Sequence, residues 1–324
     1  MGTETKPKVM RDALIDKIYE KMGENEKIFF ISADFGSPSL DQLRAKYKDR
    51  FINVGIAEQN LINISTGLAL EGYIVYAYLI APFLMRAYEQ IRINLAMLSQ
   101  IRPLNLNIIA VGVGLSYDVT GPTHHCLEDI SIMRCLPNVM FFSPSDHLLT
   151  ERFIDASIEI NKPKYIRLDG KSLNQIYNQT QLFDFKKGFC EIKRGKELCF
   201  VSTGYMTHKA LAAAEKLKLM GVDVGVIDLF MLKDLDEEAL ASLLKTYNGV
   251  ISLEEGFKNK GGLDALVSNI MRDHKLPQKQ MNLGFADEYT FAVGNREYLH
   301  QLNKLGIDEI VPSAVEMARG NNLS

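Results

Sequence analysis

Short apolar runs alternate with stretches of helical periodicity along most of this chain. The run KIFFIS at residues 27–32 precedes a helical pattern that starts at Glu58, and the run YIVYAYLIA at 73–81 precedes another. The alternation continues through LNLNIIAVG, NVMFFS and KYIRL. Uniformly apolar strands separated by helices are typical of a mostly parallel sheet that is covered on both faces. The sequence therefore predicts an α/β fold.

The alternation is interrupted at residues 171–195, which are polar and poorly periodic. It restarts with ELCFVST at 197–203 and continues through VDVGVID and GVISLEE, each followed by a helical pattern. We interpret 171–195 as a domain connection, and we predict two doubly wound, mostly parallel-sheet domains at residues 1–175 and 190–324.

Charge and cysteine content argue against several classes of protein. The 324 residues carry a formal net charge of −3, which leaves no electrostatic footprint for nucleic acid or for an anionic membrane. No segment has the apolar length of a signal peptide or a membrane span, so we expect a cytoplasmic protein without a membrane or nucleic-acid partner. The four cysteines show no C-x-x-C spacing, and neither a zinc site nor a redox pair is indicated.

Glu58 is an isolated acid in an apolar segment. In NVGIAEQN, residues 53–60, it follows Val54 and Ile56 and precedes Leu61 and Ile62, which belong to a helical pattern. A carboxylate that enters a core is costly unless it is paired, hydrogen-bonded or needed for chemistry. The pattern fits either a functional acid or a glutamate in water at a helix end.

The segment GVGLSYDVTGPTHHCLEDI, residues 112–130, follows an apolar strand, where parallel sheets collect their ligands. Tyr117 stands where a dinucleotide-binding loop needs its third glycine, which argues against that motif. His124 and His125 fit either a substrate-facing pair that exchanges protons or a helix-capping loop, and the sequence leaves both interpretations open. They and Cys126 lack further ligands at metal-binding spacing, so we predict no metal site in this chain.

Several segments, read together, resemble the transketolase family. VGIAEQNLINISTGLALEG, FLMRAYEQIR, GPTHHCLEDISIMRCLPN and SPSD are similar to the pyrimidine-binding domain of transketolases and of deoxyxylulose-phosphate synthase, which use thiamine diphosphate. STGYMTHKAL and ISLEEG extend the resemblance into the C-terminal domain, so that it covers nearly the whole chain. It implies a transferase of carbohydrate metabolism that moves a two-carbon ketol unit from a ketose donor to an aldehyde acceptor.

The resemblance implies a role for three residues at the thiamine ring system. The matching glutamate, Glu58, hydrogen-bonds N1′ of the aminopyrimidine and promotes the imino tautomer that deprotonates the thiazolium carbon. Phe83 matches the aromatic residue that stacks on the pyrimidine, and Asp34 matches a carboxylate close to the cofactor. Without the resemblance, Phe83 fits a core position and Asp34 fits a turn or a cap.

The resemblance also implies substrate-binding residues. His124 matches the histidine of the GPTH motif, which contacts the oxygens of the donor. Arg167 and Arg11 match phosphate-binding arginines, whose planar fork suits phosphate oxygens; a surface ion pair is the alternative for each. Arg86 and His125 are expected near the pocket, where they take part in acceptor recognition.

One absence separates this sequence from full-length transketolases. No Gly-Asp-Gly segment, which in the family helps to hold Mg²⁺ and the diphosphate, occurs here. The resemblance therefore implies the smaller subunit of a split enzyme. We expect a larger partner subunit that carries the diphosphate-binding domain and Mg²⁺, in a heterotetramer with two copies of each chain.

Further departures concern the substrate. Thr120 replaces the aspartate of the family's Glu-Asp-Gly-Pro-Thr-His motif and cannot supply a charge-assisted hydrogen bond. Thr120 and Asp118 are nevertheless candidates to contact the hydroxyl groups of the ketose donor. Gly112 and Val113 stand where relatives carry phosphate-contacting residues, which points to a sugar or sugar-phosphate that is modified or nucleotide-linked. The alternatives are a 2-oxoacid dehydrogenase β subunit, a deoxyxylulose-phosphate synthase-like enzyme, and a homologue that binds a partner without turnover.

Overall fold

The structure is a computed structural model that describes residues 8–321. Strands and helices alternate along the chain. The strands are β1 (Ile28–Ser32), β2 (Phe51–Asn53), β3 (Ile74–Ile80), β4 (Leu106–Val111), β5 (Met140–Phe142), β6 (Lys164–Leu168), β7 (Phe189–Lys193), β8 (Leu198–Ser202), β9 (Val224–Leu229), β10 (Gly249–Phe257) and β11 (Lys279–Phe285). The α-helices are α1 (Met10–Glu24), α2 (Pro38–Lys46), α3 (Glu58–Leu70), α4 (Tyr88–Gln90), α5 (Asp129–Arg134), α6 (His147–Glu159), α7 (Tyr205–Leu219), α8 (Glu237–Leu244), α9 (Leu263–Asp273), α10 (Arg296–Leu302) and α11 (Ile307–Asn321).

The first compact unit comprises residues 8–113 and 135–183. Its six strands form a parallel sheet in the order β2-β1-β3-β4-β6-β5. The central strand β4 is buried along its whole length, as expected for a sheet that is covered on both faces. β2 and β5, at the two edges of the sheet, are only three residues long.

The second compact unit comprises residues 114–134 and 184–321. Its five strands lie in the order β11-β10-β8-β9-β7, and only the edge strand β7 is antiparallel to its neighbour among the described pairs. The apolar core of this unit includes Leu115 and Leu127 from the 114–134 segment, together with residues of α7, β10 and α11. The segment that carries the histidine pair therefore belongs to the packing of this unit.

The predicted fold class is confirmed, because both units are α/β with mostly parallel sheets. One expectation was wrong in part: within the predicted connection 171–195, residues 189–193 form β7, which pairs with β9. The compact units also differ from the two predicted domains, because residues 114–134, which fall within the predicted first domain, pack in the second unit. The domain boundaries 1–175 and 190–324 stay predictions, and residues 1–7 and 322–324 lie outside the described part of the chain.

The second predicted helix of the first unit is a composite of several helical forms. A 3₁₀ helix runs over Ala81–Ala87, and it is followed by α4, a π-helical stretch at Ile91–Met97 and a further 3₁₀ turn at Leu98–Gln100. In a 3₁₀ helix, residues three apart lie on the same side. Phe83 and Arg86 therefore share one side of the segment that follows β3.

The helix α6 begins after Asp146, which is its N-cap. One carboxylate oxygen of Asp146 accepts a hydrogen bond from the backbone of Leu149 at 2.8 Å. The other accepts from the backbones of Ile176 and Tyr177, each at 2.9 Å. This buried side chain thus joins the start of α6 to the segment after β6. Across residues 8–321, no helix combines the length and the apolar character that crossing a membrane requires.

Candidate active site

Glu58 is the first residue of α3, and its side chain is buried, with 5% of its surface exposed. Its Oε2 atom is buried and has no hydrogen-bond partner within residues 8–321. A cation stands close to it, because Nη1 of Arg86 lies 3.8 Å from that oxygen, while 65% of the Arg86 side chain is exposed. A buried carboxylate oxygen without a hydrogen bond is costly, and it can receive a donor from a ligand.

Two predicted site residues lie on the 3₁₀ helix that packs against α3. Phe83 is half-buried, and Arg86 follows it by one 3₁₀ turn. The structure brings Arg86 close to Glu58, and Phe83 lies on the same side of the 3₁₀ helix as Arg86. An acid, an aromatic ring and a guanidinium together suit a planar ring that carries hydrogen-bonding nitrogens.

Asp34 lies just after β1, at the carboxyl end of the sheet, and is exposed. Its Oδ1 accepts a hydrogen bond from Nδ2 of Asn53 at 2.8 Å, and its backbone nitrogen donates to Oδ1 of Asn53 at 3.1 Å. No sequence pattern singles out Asn53, because its partner lies in a different strand-to-helix loop. The hydrogen bonds between Asp34 and Asn53 connect the loop after β1 to the loop before Glu58.

The two predicted phosphate-binding arginines have different surroundings. Arg167, on β6, is buried. Arg11, on α1, is half-buried, and its Nε lies 2.9 Å from Oδ1 of Asp12. Arg11 thus makes an ion pair with its neighbour Asp12, and this pair is partly buried rather than on the surface. The roles of both arginines toward a substrate stay predictions.

The second unit carries the loop with the histidine pair. Reciprocal hydrogen bonds of 2.9 Å between the backbones of Gly114 and Cys126 close its base. His124 is half-buried, and its backbone nitrogen donates to the carbonyl oxygen of Gly121 at 3.0 Å. Its Nδ1 lies 3.1 Å from the hydroxyl of Thr123. These contacts hold the ring at a defined place in the loop.

His125 is buried, and its Nε2 lies 3.4 Å from the carbonyl oxygen of Asp118. Burial lowers the pKa of His125, against the raising effect of that carbonyl and of nearby carboxylates. The ring is therefore neutral near pH 7. When Nε2 donates to the Asp118 carbonyl, Nδ1 is left as a proton acceptor.

Asp118 is 2% exposed and makes structural contacts with both carboxylate oxygens. Oδ1 accepts from the backbone of Val119 at 2.8 Å, and Oδ2 accepts from the backbone of Arg296 at 2.6 Å. Thr120 follows it in the same 3₁₀ turn and is exposed. Thr120 is therefore accessible to a ligand within this unit, whereas Asp118 uses its carboxylate to hold the backbone of the loop. The role of each residue toward the ketose donor stays a prediction.

A buried ionic group that the sequence analysis missed supports this loop. Glu255, on β10, pairs with the guanidinium of Arg296, and its Oε1 lies 2.6 Å from Nε2 of His300. At Gly114, whose φ is +58°, an added Cβ would overlap the carboxylate of Glu255, so that the loop base needs a glycine. The only sequence signal was the pair of acids that ends the apolar strand GVISLEE.

His124, His125 and Cys126 were predicted not to form a metal site, and this stays a prediction. Over residues 8–321, no three His, Cys, Asp or Glu side chains gather in a group that would hold a metal ion. Cys126 is buried beside the closed base of the loop.

Two family models match most of the chain. The family model for the transketolase pyrimidine-binding domain matches residues 6–175, and the model for the transketolase C-terminal domain matches residues 189–308. The chain belongs to the transketolase family. The resemblance found in the sequence motifs is thereby confirmed.

Individual members of the transketolase family resemble this chain over nearly its whole length. It is 33% identical over 274 residues to a subunit of the apulose-4-phosphate transketolase of Actinobacillus succinogenes, covering 84% of this chain and 86% of that protein. It is 28% identical over 316 residues to SqwH, a 6-deoxy-6-sulfo-D-fructose transketolase subunit of a Clostridium species, covering 97% and 95%. A solved structure described as a split gene transketolase, inactive beta4 tetramer, superimposes with a TM-score of 0.85 at 30% identity, covering 96% and 98%.

Proposed function

We propose that this chain is one subunit of a split, thiamine-diphosphate-dependent transketolase that transfers a two-carbon ketol unit from a ketose to an aldehyde. The observation that carries the proposal is Glu58, a buried acid at the start of α3 whose Oε2 has no hydrogen-bond partner in the described part of the chain. Membership of the transketolase family implies dependence on thiamine diphosphate. The names of the similar proteins support a subunit of a divided enzyme.

The residues of the first unit fit an aminopyrimidine ring. The orphaned oxygen of Glu58 suits a ring nitrogen that shares a proton with it, and the half-buried Phe83, on the 3₁₀ helix that packs against α3, suits the face of the ring. Arg86 lies 3.8 Å from Glu58 and is mostly exposed, so that its guanidinium can move aside at a small energetic cost.

Thiamine diphosphate, when bound, supplies the carbon nucleophile that adds to a ketose carbonyl. Glu58 holds and releases the proton at the pyrimidine nitrogen, because burial places its carboxylate where water does not compete. His124 donates hydrogen bonds to the oxygens of the donor. His125, neutral near pH 7, accepts a proton at Nδ1 or binds a hydroxyl group.

The divided enzyme requires a second chain. We propose a larger partner that carries the diphosphate-binding domain and Mg²⁺, in a heterotetramer with two copies of each subunit. The solved relative described as an inactive beta4 tetramer supports both the association of such subunits and their inactivity without a partner. Ile56, just before Glu58, is 74% exposed, which suits a loop that another chain covers. Cytoplasmic localisation stays a prediction.

The names of the relatives support a class of substrate. One specifies a sugar phosphate and the other a sugar that carries a sulfo group. We propose a modified, anionic sugar as substrate, bound with the help of the guanidinium groups of Arg86 and Arg167. Among the alternatives, a 2-oxoacid dehydrogenase β subunit would pass a decarboxylated acyl group to a lipoyl carrier, and a deoxyxylulose-phosphate synthase would release carbon dioxide. Product analysis distinguishes both from ketol transfer.

The test replaces Glu58 by Gln in the chain assembled with its partner, thiamine diphosphate and Mg²⁺. Glutamine keeps the shape but cannot exchange the proton, so we expect kcat for ketol transfer to fall by about 100-fold or more. Glu71→Gln, at the exposed far end of α3, is the matched control and should stay within about twofold of the unaltered enzyme.

The same proteins test the divided site. The chain alone should show negligible thiamine-diphosphate binding by calorimetry, and addition of the partner should produce Mg²⁺-dependent binding. Full turnover by Glu58→Gln would refute the assignment of Glu58, and tight cofactor binding by the lone chain would refute the divided site.

A further inference from the structure

The loop that precedes Glu58 is short and follows a weak strand. β2 has three residues, lies at the edge of its sheet and ends at Asn53, and residues 54–57 connect it to α3. A three-residue edge strand provides few backbone hydrogen bonds to hold the chain that follows it. Other contacts must therefore fix the direction in which the chain enters α3.

The side chain of Asn53 supplies three such contacts. Its Oδ1 accepts hydrogen bonds from the backbone nitrogens of Asp34 at 3.1 Å and Gly55 at 3.0 Å. Its Nδ2 donates to the carboxylate of Asp34 at 2.8 Å. One amide side chain thus joins the loop after β1 to the loop that leads to Glu58.

Both residues that donate their backbone N–H to Asn53 have left-handed backbone conformations. Asp34 has a φ of +54°, and Gly55 has a φ of +77°. Residues other than glycine adopt this region at a cost, although Asp and Asn are among those that tolerate it. The Asn53 side chain bonds to both turns at once, so it helps to hold them in these conformations.

The start of α3 is not capped by the side chain of its N-cap residue. That residue is Ala57, which has no side-chain acceptor and so forms no cap hydrogen bond. The backbone of the loop makes hydrogen bonds of its own. The nitrogen of Val54 donates to the carbonyl oxygen of Ser32 at 3.0 Å, and the nitrogen of Ala57 donates to the carbonyl oxygen of Gly55 at 2.8 Å. The position of Glu58 therefore depends on the loop before it.

From these contacts we infer that Asn53 is a positioning residue for Glu58, and that Asp34 acts through its hydrogen bond with Asn53. The pair holds residues 54–57 in the conformation that presents the Glu58 carboxylate to the pyrimidine ring. The inference rests on the proposed function only for its effect on the cofactor. Its effect on the loop is a property of the chain itself.

An exchange of the two side chains tests the contact. Asn53→Asp keeps the acceptor for the two backbone nitrogens but sets a carboxylate against Asp34. Asp34→Asn keeps an acceptor for Asn53. The double variant Asp34→Asn with Asn53→Asp restores one amide donor and one carboxylate, with the partners reversed.

Backbone amide hydrogen exchange of the full-length chain is the first measurement. We expect exchange in residues 54–61 to be about tenfold faster or more in Asn53→Asp, and within about threefold of the unaltered chain in the double variant and in Asp34→Asn. Asn53→Ala, which removes all three hydrogen bonds without adding a charge, should accelerate exchange as Asn53→Asp does. The matched control is Asn94→Asp, because Asn94 donates a hydrogen bond of 2.8 Å to Asn63 on α3, away from the loop.

Thiamine-diphosphate affinity of the assembled enzyme is the second measurement. We expect Asn53→Asp and Asn53→Ala, which leave Asp34 intact, each to weaken the affinity by about tenfold. Unchanged exchange in both Asn53→Asp and Asn53→Ala would overturn the inference, as would a double variant that exchanges as fast as Asn53→Asp. If the exchange results are as expected but the unaltered assembly binds no thiamine diphosphate, the proposed function fails and the role of Asn53 in the loop stands.

Discussion

At the scale of single residues, the first unit contains an acidic and a basic side chain that lie close together but differ in their exposure to water. Glu58 is buried, whereas Arg86, at 3.8 Å, is mostly exposed. An ion pair with an exposed partner contributes little to stability, since water and salt screen it. The ion pair therefore adds little to the stability of the fold, and the role of Arg86 toward a ligand stays a prediction.

Arg86→Met tests this role. We expect the free energy of unfolding to change by less than about 1 kcal/mol, because the Arg86 side of the ion pair is exposed. We expect the KM of an anionic acceptor to rise by about tenfold, with a smaller effect on kcat, because a uniform binding contact is lost. Steady-state kinetics of the assembled enzyme and urea denaturation of the chain give the two values.

Arg92→Met is the matched control, because Arg92 lies 3.8 Å from Glu89 in the same helical segment and is also exposed. It should leave the KM unchanged. An equal rise of KM in both variants would show that Arg86 has no specific contact with the acceptor.

The sequence indicated some site residues and not others, for physical reasons. Glu58 was visible because an acid between apolar residues is locally anomalous. The environment of Asp118 was not visible, because its second oxygen bonds to the backbone of Arg296, which is distant in the sequence. Asn53 was overlooked for a similar reason, since an exposed Asn at a strand end looks like an ordinary turn residue.

At the scale of elements, two helices begin with an aspartate N-cap in contrasting surroundings. Asp146, at α6, is buried and accepts hydrogen bonds from Leu149, Ile176 and Tyr177. Asp236, at α8, accepts a hydrogen bond of 2.8 Å from Ala239 at the surface. The first side chain therefore stabilises a helix and a loop together, whereas the second caps a helix at the surface.

Replacement of each aspartate by alanine should separate these roles. Asp236→Ala removes one exposed cap and should lower the free energy of unfolding by about 1 kcal/mol. Asp146→Ala also leaves buried backbone N–H groups unpaired, and the loss should be about 3 kcal/mol or more. Urea denaturation of both variants gives the comparison, and equal losses would contradict the joining role of Asp146.

Elements with strongly apolar runs were predicted, including the three-residue strand β5 within NVMFFS, whereas β2 and β7 were not. The apolar strands β3, β4 and β10 and the helices α3 and α7 follow directly from periodicity. β2 was missed because FIN has only two apolar residues before the polar Asn53, and β7 was missed because its flanks are polar and it lies at an edge of its sheet. The composite helix at 81–100 kept helical spacing in sequence, so that its change of helical form was invisible.

At the scale of the whole molecule, each unit contains charges that are withdrawn from water. In the first unit, Lys164 donates hydrogen bonds to Asn105, Ile160 and Lys162 at 2.6 to 2.8 Å, and burial lowers its pKa. In the second unit, Glu255 contacts Arg296 and His300. Removing one partner of such a group is strongly destabilising, because the remaining charge stays buried.

These buried groups make stability depend on pH. Burial would by itself raise the pKa of Glu255, but the charge and hydrogen bonds of Arg296 and the hydrogen bond of His300 outweigh it and lower the pKa. The unfolded chain therefore binds more protons below about pH 4.3, and the stability that Glu255 contributes is present above that pH and is lost as the pH falls. Burial lowers the pKa of His300, so the unfolded chain takes up the imidazole proton before the folded chain does. The free energy of unfolding therefore also decreases as the pH falls below about 6.5.

Glu255→Gln should lower the free energy of unfolding and should also change how steeply that free energy depends on pH. At pH 7 we expect a loss of about 3 kcal/mol or more, since Arg296 loses its charged partner. Below about pH 4.3 the slope of unfolding free energy against pH should be smaller than in the unaltered chain by up to about 1.4 kcal/mol per pH unit. Urea titrations at several pH values measure both, with the exposed Glu288→Gln as control; identical slopes in all three chains would contradict a lowered pKa of Glu255.

The brevity of β2 and β5 has a consequence for assembly. An open sheet edge invites a foreign strand to continue it, and three residues offer too short a template for such an extension. Copies of the first unit, or of a different subunit, are thereby directed away from continuous intermolecular ladders. We therefore predict that contacts between this unit and another chain are made by helices and loops, where side chains rather than main-chain groups select the neighbour.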